Sequence, residues 1–154
     1  MRYTIISVRK YKRLMIQWKD LIRYLGMDLC NARKFEISLS SAKRRFNVAA
    51  NCIIGRLENR ASEEVTLQLI KSKCLPIILY GTEACALTKA QRQSLDFIVT
   101  RVGMKIFRSS NRALVVERLS HFGLMLPSAL IDIRVEKFKR EISSMDCVLF
   151  KGLF

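Results

Sequence analysis

Side chains able to do chemistry are few in this sequence and stand apart from one another. His121 is the only histidine, and no apt carboxylate cluster accompanies it, as a general base would require. It is expected to be a partly buried structural residue. The five cysteines, Cys30, Cys52, Cys74, Cys85 and Cys147, are odd in number and irregularly spaced. Zinc sites and disulfide frameworks both need closer or paired spacings, so the cysteines read as small buried hydrophobes in a reducing compartment. The carboxylates Asp20, Asp28, Asp96, Asp132 and Asp146 are isolated, and no Asp-Asp pair occurs. There is no glycine-rich phosphate loop either. No catalytic or metal-ligating residue is nominated, and no cofactor is expected.

Cations are what the sequence has in excess. Twenty-eight Lys and Arg against 13 Asp and Glu give a net charge of +15 and a pI near 10.1. A surplus of that size opposes compaction by self-repulsion, and a polyanionic partner relieves it, nucleic acid first among them. Residues 1–50 hold 12 basic and 3 acidic residues, residues 51–100 hold 6 and 5, and residues 101–154 hold 10 and 5. The flanks therefore carry the charge and the middle reads as core. With half the residues hydrophobic and 154 in all, the chain can bury a core as a single folded unit. The longest apolar run is too short to span a bilayer, and Met1 to Lys12 lacks the apolar centre of a secretory signal.

The elements that would position these residues follow from pattern and punctuation. Tyr3–Val8 is β-prone and precedes a basic cluster at Arg9, Lys10, Lys12 and Arg13. Leu14–Trp18 and Leu21–Leu29 read as two strands joined by a turn at Lys19-Asp20, with Gly26 marking a bulge or a close contact. From Ser38 the period changes: Phe46, Ala49, Ala50, Ile53, Ile54 and Leu57 form a helical stripe opposite Arg44, Asn47, Asn51 and Glu58, and Ser40 or Ser41 can cap it. Lys43-Arg44-Arg45 in its first turns oppose the helix macrodipole. Either an outside anion or a plain solvated face accounts for them.

Ser62 caps a second helix that opens on Glu63 and Glu64. Pro76 inside that helix costs roughly 3 kcal/mol unless the helix bends, and Gly81 can end it in the left-handed conformation. Thr88 and Gln91 make a capping box for a third helix with Leu95, Ile98, Val102 and Ile106 inward, widened by Phe97 and Val99. Gly103 in that stripe suggests a close helix crossing. A short helix, Arg112 to Phe122, turns Leu114, Val115 and Leu119 inward and stops at Gly123. Pro127 then starts the last, to about Ser143.

Several of these stretches, in order, resemble the C-terminal part of reverse transcriptases of non-LTR (LINE-type) retrotransposons. Leu75, Pro76, Leu79, Tyr80, Gly81 and Glu83 look like a thumb-region signature of that family, and Tyr24-Leu25-Gly26-Met27 is similar to the strand that closes the palm near the primer grip. Phe35 through Leu57 resembles the first thumb helix. Leu87-Thr88, Ser94-Leu95-Asp96-Phe97 and Met104-Lys105-Ile106-Phe107 continue the likeness, which spans about residues 13–140. The family's polymerase centre uses an Asp-Asp pair and an upstream Asp to hold two metals, and this chain has no such pair. The resemblance implies a palm-edge and thumb portion without the catalytic clamp.

The expectations are then definite. The fold should be mainly α, a thumb-like bundle of about five helices with a short N-terminal β-hairpin. Residues 1–30 would be the palm-edge remnant and residues 31–154 the helical domain. Lys43, Arg44, Arg45, Arg56, Lys71 and Lys73 would grip RNA or an RNA/DNA duplex by its phosphates, and Tyr24 and Gly26 would lie on the primer side by resemblance alone. No membrane and no small-molecule substrate are expected as partners, self-association through the hairpin edge is, and the setting is intracellular, nuclear or cytoplasmic. The alternative is the inert product of a decayed retroelement.

Overall fold

The computed structural model describes residues 19–32, 36–57 and 60–144. The expected strands at Tyr3–Val8 and Leu14–Trp18, the cluster from Arg9 to Arg13, and Glu58, Asp146 and Cys147 lie outside the described residues.

Where one strand was expected over Leu21–Leu29, the chain reverses. Strand β1 (Leu21–Tyr24) pairs antiparallel with β2 (Met27–Cys30), Leu21 opposite Cys30 and Tyr24 opposite Met27. The turn between β1 and β2 is Leu25-Gly26; the one expected at Lys19-Asp20 leads from Leu14–Trp18, outside the described residues, and the Asp20 carbonyl accepts from the Asn31 N–H at 2.9 Å, prolonging the β1–β2 pairing. Leu25 and Gly26 have φ of 46° and 82°, both positive as a type I′ hairpin turn demands. Leucine pays roughly 1–2 kcal/mol in that region, which is why its identity gave no turn signal. A third strand, β3 (Glu36–Ser38), pairs antiparallel with β2, so the sheet runs past residue 30. Ile37 of β3 is buried, β2 is half-buried and all of β1 is exposed. The sheet thus rests on the helices through β3, and among the described residues β1 is its outer strand.

Helix α1 (Ser40–Leu57) begins where the Leu39 carbonyl accepts from Lys43 N–H at 2.9 Å. The hydroxyl nearest its free amides is that of Ser38, 3.5 Å from Ser40 N, rather than Ser40 or Ser41. Phe46 and Ala50 are wholly buried while Arg44, Asn47 and Asn51 face out, as the periodicity predicts.

Helix α2 (Glu63–Leu69) is capped by Ser62, whose hydroxyl accepts from Val65 N–H at 3.4 Å. It runs on through a π-helical turn, Ile70–Cys74, into α3 (Leu75–Leu79). The bend expected at Pro76 is taken up there: in an α-helix the proline ring would strike the Ser72 carbonyl, and the wider turn, with Leu75 N–H donating back to Ile70 O, makes room. Tyr80 (φ −66°, ψ 122°) and Gly81 (φ 72°) then form a type II turn. Gly81 has a second constraint, because a Cβ there would lie 2.2 Å from Met27 Sδ.

Helices α4 (Lys89–Ile106), α5 (Arg112–His121) and α6 (Pro127–Ser144) complete the bundle. Thr88 and Gln91 close the capping box at 2.9 and 3.2 Å. Gly103 sits at a close crossing, for a Cβ would meet Val115 Cγ1 at 2.9 Å. At Gly123, Leu124 N–H reaches Leu119 O and Gly123 N–H reaches Ser120 O, both at 2.9 Å, the pairing of a Schellman ending. Asp96 of α4 accepts from Ser128 N–H at 2.8 Å and so caps α6 from outside. With the bent segment Glu63–Leu79 taken as one, five helices surround a core of Phe46, Ile70, Ile78, Leu95, Leu119 and Ile131. The fold is mainly α, as expected. Two apolar residues differ from expectation: Phe97 is 50% and Leu114 36% exposed, because the seats inside go to Val99 and Val115.

Candidate nucleic-acid interface

The basic triplet on α1 is divided by helix geometry. Residues two apart on an α-helix point about 200° apart around its axis. Lys43 accordingly reaches across to α4, where its ammonium bonds Ser94 Oγ, while Arg45 turns to the hairpin, its Nη2 3.5 Å from Gly26 O. Arg44 between them points into solvent, and Arg56 is exposed in the last turn. Lys71 and Lys73 are exposed on the π-helical turn. The Lys71 ammonium stands 3.6 Å from where a Cβ of Gly123 would be, beside the carbonyl end of α5, where a cation is favoured.

None of these six cations takes part in an ion pair among the described residues. The pairs that form are Arg92 with Asp132, Arg134 with Glu83, Lys137 with Glu141, Lys139 with Glu136, and His121 with Glu117. Helix α1 carries no acidic residue at all. Helix α4 carries one, Asp96, and it is engaged at the start of α6.

The two nominated primer-side residues part company. Tyr24 is 60% exposed on the open strand, whereas Gly26 lies against Tyr80, whose ring is 3.7 Å from the place of a Gly26 Cβ. The hairpin tip and the Tyr80-Gly81 turn, 55 residues apart in sequence, are thereby packed together. The cleft between them, lined by Gly26, Met27, Arg45, Ile77 and Tyr80, encloses about 20 Å³, room for a water molecule and for no larger ligand.

Other expectations sort as follows. His121 is exposed rather than partly buried, 3.9 Å from Glu117 on the outer face of α5. Cys74 and Cys85 are buried, and burial pushes both thiols above their ordinary range, Glu83 adding to the effect at Cys85. Cys30 is half-buried and Cys52 is exposed on α1, so the cysteines are not uniformly core residues. Asp96 and Asp132 hold helices together through Ser128 and Arg92. Among the described residues no group of three or more His, Cys, Asp or Glu is placed to hold a metal ion, and no helix is long and apolar enough to cross a membrane.

Sequence reasoning passed over Phe97, Arg101 and Lys105. Their spacing of four residues puts them on one flank of α4, a signal hidden by the assignment of Phe97 to the core. In the structure Lys105 Nζ donates to Asn51 Oδ1 of α1 at 2.8 Å, and the Arg101 guanidinium lies 5.9 Å from the Phe97 ring centre. Beyond Lys105 an open groove of about 300 Å³ is lined by Ile54, Leu57, Glu63, Thr66 and Arg108. Comparisons with protein-family models, with curated proteins and with solved structures returned no match.

Proposed function

We propose that this chain is the thumb-containing, non-catalytic portion of a non-LTR retrotransposon reverse transcriptase, and that it holds an RNA/DNA template–primer by its phosphates. Lys43, Arg44, Arg45, Arg56, Lys71 and Lys73 supply the contacts, in an intracellular setting, nuclear or cytoplasmic. The observation that carries the reading is the acid-free helix α1, whose Lys43, Arg44, Arg45 and Arg56 have no carboxylate partner among the described residues, whereas Arg134, Lys137 and Lys139 of α6 are each paired. The packing of Gly26 against Tyr80 adds support, since the two stretches on which the resemblance rests most heavily meet there.

The test is a titration of an RNA/DNA hybrid duplex, followed by fluorescence anisotropy at increasing salt. With about six phosphates engaged, affinity falls roughly 10³-fold between about 50 and 200 mM salt. Absent or salt-insensitive binding removes the proposal. One observation favours the second reading, an inert product of a decayed element: among the described residues β1 has no partner on its outer side, and Leu21, Ile22 and Tyr24, with Leu25 of the turn, are between 48% and 68% exposed, a template for pairing with another copy. A dimer that Ile22→Lys dissolves, with no nucleic-acid binding, would establish that reading in place of the first.

A further inference from the structure

Two contacts set α1 and α4 side by side and pointing the same way: Lys43 bonds Ser94 near their starts, and Asn51 bonds Lys105 near their ends. The flank of α4 along this seam carries Ser94, Phe97 three residues on, and Arg101 and Lys105 at further steps of four, the last three within a little over two turns. The adjoining outer face of α1 presents Arg44, Asn47 and Asn51. Neither helix places a carboxylate there, since α1 has none and Asp96 is committed to Ser128. Glu63 comes only to the rim, where the groove beyond Lys105 opens. Phe97 is the exposed aromatic of the seam, half in solvent with a guanidinium beside it. Aromatic rings and arginine planes both stack on unpaired bases, and a ring among cations is how proteins hold a single strand by backbone and base together.

We propose that the α1–α4 seam binds a single nucleic-acid strand, its phosphates on Lys43, Arg44, Arg101 and Lys105 and one unstacked base on Phe97. The inference rests on the nucleic-acid reading above and extends its surface from α1 onto α4. The probes are a blunt RNA/DNA hybrid and the same hybrid with an unpaired extension, both fluorescently labelled, added to the full chain. Arg101→Gln with Lys105→Gln lowers the slope of log affinity against log salt by about 1.5, while Lys137→Gln with Lys139→Gln, cations already paired with Glu141 and Glu136, leaves it within experimental error. The extension raises wild-type affinity on the order of tenfold, and Phe97→Ala abolishes that gain. Circular dichroism and thermal melting of each variant confirm folding. Wild-type binding that survives the α4 pair unchanged, or an extension that adds nothing, overturns the seam while leaving phosphate binding in place. Failure of the wild type to bind either probe overturns both readings together.

Discussion

Helices α1 and α6 are each 18 residues long and rich in cations, and they treat those cations in opposite ways. On α6, Lys137 and Lys139 pair with Glu141 and Glu136 of the same helix, and Arg134 reaches Glu83 and, at 3.1 Å, the carbonyl of Leu79. Its amino end receives the Asp96 carboxylate from α4. On α1 three cations crowd the positive end of the dipole, and among the described residues no carboxylate pairs with them. Exposed pairs of the α6 kind are individually worth only a few tenths of a kcal/mol. What they do is cancel the field, so that net charge overstates α6 as a binding surface and understates α1.

The sharpest way to break this comparison is to neutralise each helix in turn. Lys43→Gln, Arg44→Gln and Arg56→Gln together should shrink the affinity lost between about 50 and 200 mM salt from about 10³-fold to about 40-fold. Arg134→Gln, Lys137→Gln and Lys139→Gln, the paired cations of α6, should leave it nearly unchanged, as anisotropy titrations would reveal. Equal losses from both triples would mean that pairing does not decide which cations are available.

Stability should show the reverse ranking. Asp96→Ala removes the carboxylate cap of α6 and is expected to cost about 1–2 kcal/mol, read from urea midpoints. Arg44→Ala should stay within about 0.5 kcal/mol of wild type. Arg134→Ala takes a donor from the Leu79 carbonyl and the nearby cation from Glu83 Oε2, an otherwise unpartnered buried atom. A loss of about 1 kcal/mol is expected, partly restored in Arg134→Lys. An effect of opposite sign belongs to Ser40→Glu, exposed at the first position of α1. It should raise stability by about 0.3–1 kcal/mol at low salt and weaken nucleic-acid binding. A variant that gained stability with no loss of binding would show that the dipole end of α1 is not part of the surface.

The site was half legible. The cations of α1 could be named because a dense basic triplet at a helix start conflicts with local electrostatics, a fact contained in ten residues. Phe97, Arg101 and Lys105 escaped because an aromatic in an apolar stripe is ordinarily core, and only the packed bundle shows Val99 buried and Phe97 half exposed. The separation of Lys43 from Arg45 was implicit in helical pitch, but which neighbour each would meet was not.

What the sequence determined alone is wherever a signal and its consequence lie within a turn of each other: the Ser62 cap, the Thr88–Gln91 box, the endings at Gly81 and Gly123, the start at Pro127. The tertiary structure decided the rest. Leu25 turns a hairpin because the pairing of β1 with β2 and the seat of Gly26 on Tyr80 outweigh its own preference. A π-helical turn absorbs Pro76 because the segment's flanks are pinned in the core. Asp96 caps α6 through Ser128, 32 residues away, and among the described residues no acidic side chain pairs with the cations of α1. Local preferences are worth about 1 kcal/mol each, and partners brought together by folding are worth as much again or more.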